Sequence, residues 1–258
     1  MTTPDIPIYP DLKGKAALII GGTQGIGAET ARMLVAQGTR VAISSRNKNN
    51  VEAMVDELRA AGGEAVGVVA DGSVPEDVER IRDEVTSEIG PVDVLAAFVG
   101  GGGDPVPFET IGLDTWRATI DLNLTSTYLA LHTFVPGMIE HGGGSIITMA
   151  STAGRLAGQA ASSYAAAKAG VGMLTKHLAR ELGDRGIRLN CIAPSLVMTE
   201  SKEAQIPADR LPQIVKLFPL GRIGRPADCA LATLFLASES SSWLTGLTID
   251  VSGGRIII

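Results

Sequence analysis

Seven apolar, β-branched runs divide the chain, at 15–21, 40–45, 64–70, 92–99, 145–150, 188–193 and 247–251. None shows the strict apolar/polar alternation of a half-exposed sheet, which is what parallel strands covered on both faces should look like. Between them apolar positions recur at helical spacing over 25–37, 50–61, 76–89, 113–139, 161–184 and 226–237. Gly38, Gly62-Gly63, Gly90-Pro91 and Gly142-Gly143-Gly144 mark the stops. Strand and helix alternate throughout, so the pattern predicts an α/β protein with a doubly wound, seven-stranded parallel sheet and helices on both faces. With no repeat, low-complexity tract or linker, residues 1–258 are expected to form a single domain.

One stretch breaks the rhythm. Leu196 to Gly224 separates the sixth strand from the next helix and mixes charges (Glu200, Lys202, Glu203) with apolar residues such as Ile206, Leu211, Val215 and Phe218. A connection this long in a compact domain is usually a lid or a binding element; the competing reading is a surface excursion.

Composition narrows the class. Hydrophobic residues make up 45% and charged residues 19%, enough for a substantial core. The net charge of −6 argues against nucleic acid or an anionic membrane as the main partner. Met1 to Pro10 holds Asp5 and three prolines and does not read as a signal peptide, and no apolar run is long enough to span a bilayer. Cys191 and Cys229 fall in a strand and a helix and read as reduced core thiols of a cytoplasmic protein. His132, His141 and His177 lack metal-ligand spacing, so no metal is expected.

The first apolar run leads straight into Gly21-Gly22-Thr23-Gln24-Gly25-Ile26-Gly27 and then into a helical stretch. Strand, glycine turn and helix in that order describe a Rossmann-type dinucleotide site. Gly21 suits the tight turn, Gly25 lets backbone amides approach a pyrophosphate, and Gly27 lets the helix pack closely on the strand. Thr23, Gln24 and Ile26 complete that turn. At the end of the second strand, where an acid would bind a ribose 2′-hydroxyl, stand Ser45 and Arg46. A hydroxyl and a guanidinium suit a 2′-phosphate, so NADP(H) is expected over NAD(H); the alternative is an Arg46 that merely faces solvent.

Tyr164 and Lys168 are one helical turn apart, and Ser151 ends the fifth strand at the edge where doubly wound sheets bind ligands. An ammonium on the same face favours the phenolate, which would make a proton carrier of a side chain whose ordinary pKa is about 10. Ser151 reads equally as a turn cap. Asn123 interrupts an otherwise apolar helix and, on the residues alone, is either a tolerated polar position or a functional one.

Taken together, these motifs resemble the short-chain dehydrogenase/reductase family in its compact single-domain form, over roughly 12–254. The resemblance implies a hydride exchange between a nicotinamide cofactor and a ketone or secondary alcohol. Ser151 would hold the substrate oxygen, Tyr164 would pass it a proton, and Lys168 would also bind the nicotinamide ribose. Asn123 would bend its helix around a water that links Lys168 to solvent. Asp71 would meet the adenine and Gly100 would border the cofactor. Pro194, Val197 and Thr199 would frame the carboxamide, though Thr199 also suits an N-cap. The segment 196–224 would cover the substrate, whose character the apolar residues there suggest is medium-sized and partly hydrophobic.

A homotetramer is expected from the same likeness, from two long helices apolar on more than one face, and from the apolar tail Arg255 to Ile258. The sequence departs from the family pattern at Ile20, Ala97-Phe98, Ser195 and Ser252, where a threonine, two asparagines, a glycine and an aspartate are usual. The first two bear on cofactor geometry, and Phe98 with Gly100 to Gly103 could reshape the adenosine rim. Two other functions stay open: a cofactor-binding redox sensor without turnover, and a reductase of carbon–carbon double bonds.

Overall fold

The computed structural model describes residues 6–158 and 160–257. The readings made on Met1 to Asp5 and on Ile258 lie outside the described residues. Seven parallel strands form one sheet in the order β3-β2-β1-β4-β5-β6-β7. They are β1 (Ala16–Ile20), β2 (Arg40–Ser45), β3 (Ala65–Val69), β4 (Val94–Ala97), β5 (Gly144–Met149), β6 (Ile187–Pro194) and β7 (Thr248–Val251).

The missing alternation in the strands has a direct cause. In β1, Ala17 and Ile19 enter one core while Ala16, Leu18 and Ile20 enter the other, and β4 divides its residues in the same way. Helices α1 (Gly25–Ala36), α2 (Lys48–Ala60) and α9 (Pro226–Ala237) cover the first face. Helices α3 (Pro75–Ile89), α5 (Ser126–Glu140) and α6 (Ser162–Leu182) cover the second. Each position of β1 and β4 is therefore apolar whichever way it points. Among the described residues no helix is long and apolar enough to cross a membrane.

The sheet order reverses at β1, so connections leave in opposite directions from β1 and β4 and open a crevice between them. The glycine turn lies in that crevice. Gly21 takes a φ of 93°, a region costly for other residues, and its amide donates to Ser44 O at 2.9 Å. A Cβ on Gly27 would stand 2.1 Å from Gly21 O, so α1 can press onto the turn only without a side chain there.

The stretch expected as one helix over 113–139 is interrupted. Helix α4 (Leu113–Ile120) runs into a π turn at Asp121–Thr125 before α5 begins. The extra residue in the turn swings Asn123 inward, where it is completely buried, so it is not a polar residue merely tolerated on an exposed face.

The excursion 196–224 is partly helical, with α7 (Glu200–Gln205) and α8 (Leu211–Val215). Its two ends meet. Val197 bridges Gly224, and Met198 N donates to Gly224 O at 2.8 Å.

Candidate active site

The cleft at the β1/β4 crevice measures about 390 Å³. Gly21, Thr23, Gln24, Gly25, Ile26 and Gly27 line one wall. Ser45, Arg46 and Asp71 line the far end, and Gly100 and Thr199 line the near end. Pro194, which ends β6, and Val197 are buried outside this lining.

Three observations test whether a dinucleotide fits here. Helix α1 has no side-chain cap and no acid in its first turn, so its free amides face the cleft without a competing anion. Gly25 holds a φ of 51°, and a Cβ on it would come within 2.9 Å of Thr199 Cγ2. The Ser44 hydroxyl, on the cleft wall, is buried without a hydrogen-bond partner. A cradle kept open by glycine, unpaired amides and an orphaned hydroxyl fit a phosphate-bearing ligand.

At the far end Arg46 is mostly exposed, and its guanidinium lies 3.8 Å from Asp71 Oδ2. It is neither free in solvent nor deeply held. Asp71 is further fixed by the Ser73 hydroxyl, 2.7 Å from its Oδ1.

Ser151, Tyr164, Lys168 and Asn123 come together beyond the near end. The Ser151 turn is pressed against α6 so closely that a Cβ on Gly154 would sit 2.5 Å from Ala169 N. Ser151 caps that turn by accepting from Ala153 N at 3.2 Å, so the capping reading is realised, and its hydroxyl also reaches toward Pro194 O at 3.5 Å. Thr199 likewise caps α7 through Lys202 N at 3.3 Å.

Lys168 is buried, donating from Nζ to Met149 O at 2.9 Å. Burial pulls its pKa down to about 8. Its ammonium lies 5.8 Å from the centre of the Tyr164 ring. The expectation that it would lower the Tyr164 pKa is corrected here: burial of the phenol raises it, and the nearby Ser151 hydroxyl offsets only part of the rise. The reason is desolvation. A phenolate deprived of water costs more than the Ser151 hydroxyl returns.

Sequence reasoning also missed the partners of Asn123 and the place of the glycine run. Gly101 N donates to Asn123 Oδ1 at 3.0 Å, and Asn123 Nδ2 returns a 3.0 Å bond to Gly101 O. A Cβ on Gly100 would lie 2.7 Å from Lys168 Nζ, and one on Gly103 would lie 2.9 Å from the Tyr164 ring. The run was expected to shape the adenosine rim. Its first glycine does line the cofactor cleft, but the run packs over the Tyr164–Lys168 pair. Four consecutive glycines after a strand were the available signal, since such a run marks close approach of something to the backbone.

A family model described as Enoyl-(Acyl carrier protein) reductase matches residues 21–255. Cyclohexanol dehydrogenase of Acinetobacter sp. (strain SE19) is 37% identical over 243 residues, covering 93% of this chain and 94% of that protein. The chain belongs to the short-chain dehydrogenase/reductase family. It is an NAD(P)-dependent oxidoreductase of that family. The 7α-hydroxysteroid dehydrogenase of Escherichia coli (strain K12) is 34% identical over 245 residues, 95% of each chain. A solved 7α-hydroxysteroid dehydrogenase complexed with NADH and 7-oxo glycochenodeoxycholic acid superposes with a TM-score of 0.90 at 32% identity, covering 95% of this chain and 96% of that one.

The buried lysine generates a test of the electrostatics. Its folded-state pKa of about 8 lies below its ordinary value of 10.5. Between those pH values the unfolded chain binds the extra proton, so this residue makes the cofactor-free protein more stable as pH rises through that window. At neutral pH the buried charge is a cost. Lys168→Met should therefore stabilise the cofactor-free protein near pH 7 by about 1–2 kcal/mol, after discounting the lost bond to Met149. The gain should fade toward pH ~10.5. Urea unfolding of both proteins near neutral and alkaline pH measures this, and a gain that does not shrink would contradict it.

Proposed function

We propose that the protein reduces a ketone, or oxidises the corresponding secondary alcohol, on a medium-sized and partly hydrophobic molecule, with NADP(H) as cofactor. The observation that carries the reaction type is the group formed by half-buried Ser151 and Tyr164 with buried Lys168 and Asn123, beside a cleft with unpaired helix amides. The bound nicotinamide supplies or accepts the hydride. The glycine turn, from Gly21 to Gly27, would hold its pyrophosphate and Asp71 its adenine. Ser151 would donate to the substrate oxygen, and Tyr164 would pass it the proton. A phenol whose pKa burial has raised is fully protonated at neutral pH, which suits donation in the reducing direction. Lys168 and the Asn123-braced turn would return that proton from solvent. The relatives named for cyclohexanol and 7α-hydroxysteroid favour carbinol chemistry over reduction of a carbon–carbon double bond.

In this reading the whole chain works as one dinucleotide-binding unit, with 196–224 as a lid on the substrate. Support for the lid comes from its closed base and from Lys202 Nζ, 3.2 Å from Asp104 Oδ1 on the glycine-rich segment that packs over Tyr164. Leu217 and Leu220, exposed within the 196–224 excursion itself, are in keeping with an apolar substrate. Tyr164→Phe should cost at least about a hundredfold in NADPH-dependent ketone turnover while cofactor binding persists. Turnover retained in that variant would remove Tyr164 from the proton path, and absence of any turnover in the unmodified protein would favour a sensor.

A homotetramer is part of the same proposal. Leu113, Tyr128 and Met173 stand exposed on α4, α5 and α6, and Trp243 and Ile257 stand almost fully exposed elsewhere. Light scattering at micromolar concentration should return four chains, and a monomer would refute it.

Cofactor choice rests on Ser45 and Arg46. A charged hydrogen bond from Arg46 to a 2′-phosphate is worth about 1.5–3 kcal/mol, or roughly a tenfold to hundredfold preference for NADPH. Added salt should narrow the preference, because the contact is exposed. Ser45→Asp combined with Arg46→Ala should invert it. Specificity constants for NADPH and NADH in both proteins decide the matter, and an unmodified protein that prefers NADH overturns the assignment.

A further inference from the structure

The excursion 196–224, the turn that precedes it and the Ser151 turn all touch one short run at the carboxyl end of β7. Asp250 Oδ1 lies 2.7 Å from Arg155 Nε, which anchors the Ser151 turn through a largely buried ion pair. Val251 O accepts from Ser195 N at 3.1 Å, and Gly253 O accepts from Leu220 N at 3.2 Å. Arg255 then reaches across both ends of the excursion. Its Nη1 donates to Ser195 Oγ at 3.3 Å, and its guanidinium lies 5.6 Å from the centre of the Phe218 ring. Phe218 is itself buried, packed beside Gly253, while Pro219 stands against Gly254.

We infer that Arg255 is a positioning residue: it ties the two ends of the 196–224 lid to the fixed post of β7 and so sets how readily the lid closes over the substrate. The kinetic part of this inference rests on the reductase reading above. The geometry does not depend on it. Ser195 stands at the entry to the excursion and Phe218 near its exit, so one side chain spans both hinges. Neither contact belongs to the sheet ladder, so losing them leaves β7 paired to β6. The Ser195 hydroxyl is what makes the entry contact possible, since a glycine there would offer no acceptor on its side chain. Hinge points of a closing segment are drawn from its least stable contacts, and an exposed guanidinium stacked on a ring and bonded to one hydroxyl is of that kind.

Arg255→Ala should speed amide hydrogen exchange across 196–220 about fivefold in the protein without substrate, as expected for loss of one hydrogen bond and one cation–π contact. The melting temperature should fall by no more than about 2–4 °C, and exchange in β1, β4 and β5 should remain far slower than in the excursion. Ser195→Gly should reproduce part of the effect and add little to it in the double variant, because the two residues share one bond. Arg255→Lys, which keeps a cation over Phe218, should restore part of the protection. In turnover, KM for the ketone should rise about fivefold with kcat changed less. Unchanged exchange over 196–220 in Arg255→Ala, or full additivity with Ser195→Gly, would overturn the inference. Exchange needs no substrate, so failure to find ketone turnover would sink the reductase reading and leave this measurement standing.

Discussion

A parallel sheet wrapped on both faces has only its strand ends left for chemistry, and here that constraint settles where everything else goes. Both faces of β1 and β4 are fully used by the two cores, so no ligand can approach them from the side. At the carboxyl edge the chain leaves β1 toward one face and β4 toward the other, and the gap between those exits is the cleft. The depth of the cleft depends on glycine. Gly27 allows α1 to close on the turn, and Gly100 allows the strand-four exit to pass beside the Lys168 ammonium. A side chain at either place would push one wall into the other.

The second consequence is electrostatic. Packing α6 against the end of β5 takes Lys168 out of water and Tyr164 partly so, and each pKa moves toward the neutral form. These shifts oppose the idea of a permanently charged pair. They describe a resting state with the phenol protonated and the ammonium held by a single carbonyl, that of Met149. Such a site is costly to fold and poised to respond when further charge enters the cleft. Asn123 bears on the same balance. Its paired bonds with Gly101 hold the glycine segment in place over Lys168, so the bend in the α4–α5 helix and the ceiling of the site are one device.

The elements were legible in the sequence because their signals are local. Continuous apolar runs located every strand to within a few residues, and β2 (Arg40–Ser45) agrees at both ends. The glycine turn and the Tyr164–Lys168 spacing were equally readable. What escaped the sequence depends on burial or on distant partners. A five-residue π turn at Asp121–Thr125 changes the periodicity too briefly to be seen against the helix around it. The direction of the Tyr164 shift follows from desolvation, which spacing along a helix does not report. The bonds from Asn123 to Gly101 and from Arg255 to Ser195 join residues far apart in the chain. Helices α7 and α8 are too short to show a period.

The departures from the family pattern gain a physical account when seen together. Ile20 occupies the place where the family usually has threonine, and Val99 follows the departing Ala97-Phe98 pair. In the fold the methyl groups of Ile20 and Val99 converge on Gly72, within 3.0 Å of where its Cβ would be. Phe98 is buried against the glycine turn, with its backbone N bonded to Ile20 O at 2.9 Å. A threonine or an asparagine placed singly into this corner would bring a polar group among apolar neighbours, at a cost of about 1–3 kcal/mol if it found no partner. Apolar residues at all these positions avoid that cost jointly. The corner between β1 and β4 is thus braced by packing and backbone bonds instead of by side-chain polar contacts. A polar brace fixes direction as well as distance, whereas packing fixes distance alone. Direction on the other side of the strand-four exit comes from Asn123, which grips Gly101 through two hydrogen bonds of defined geometry.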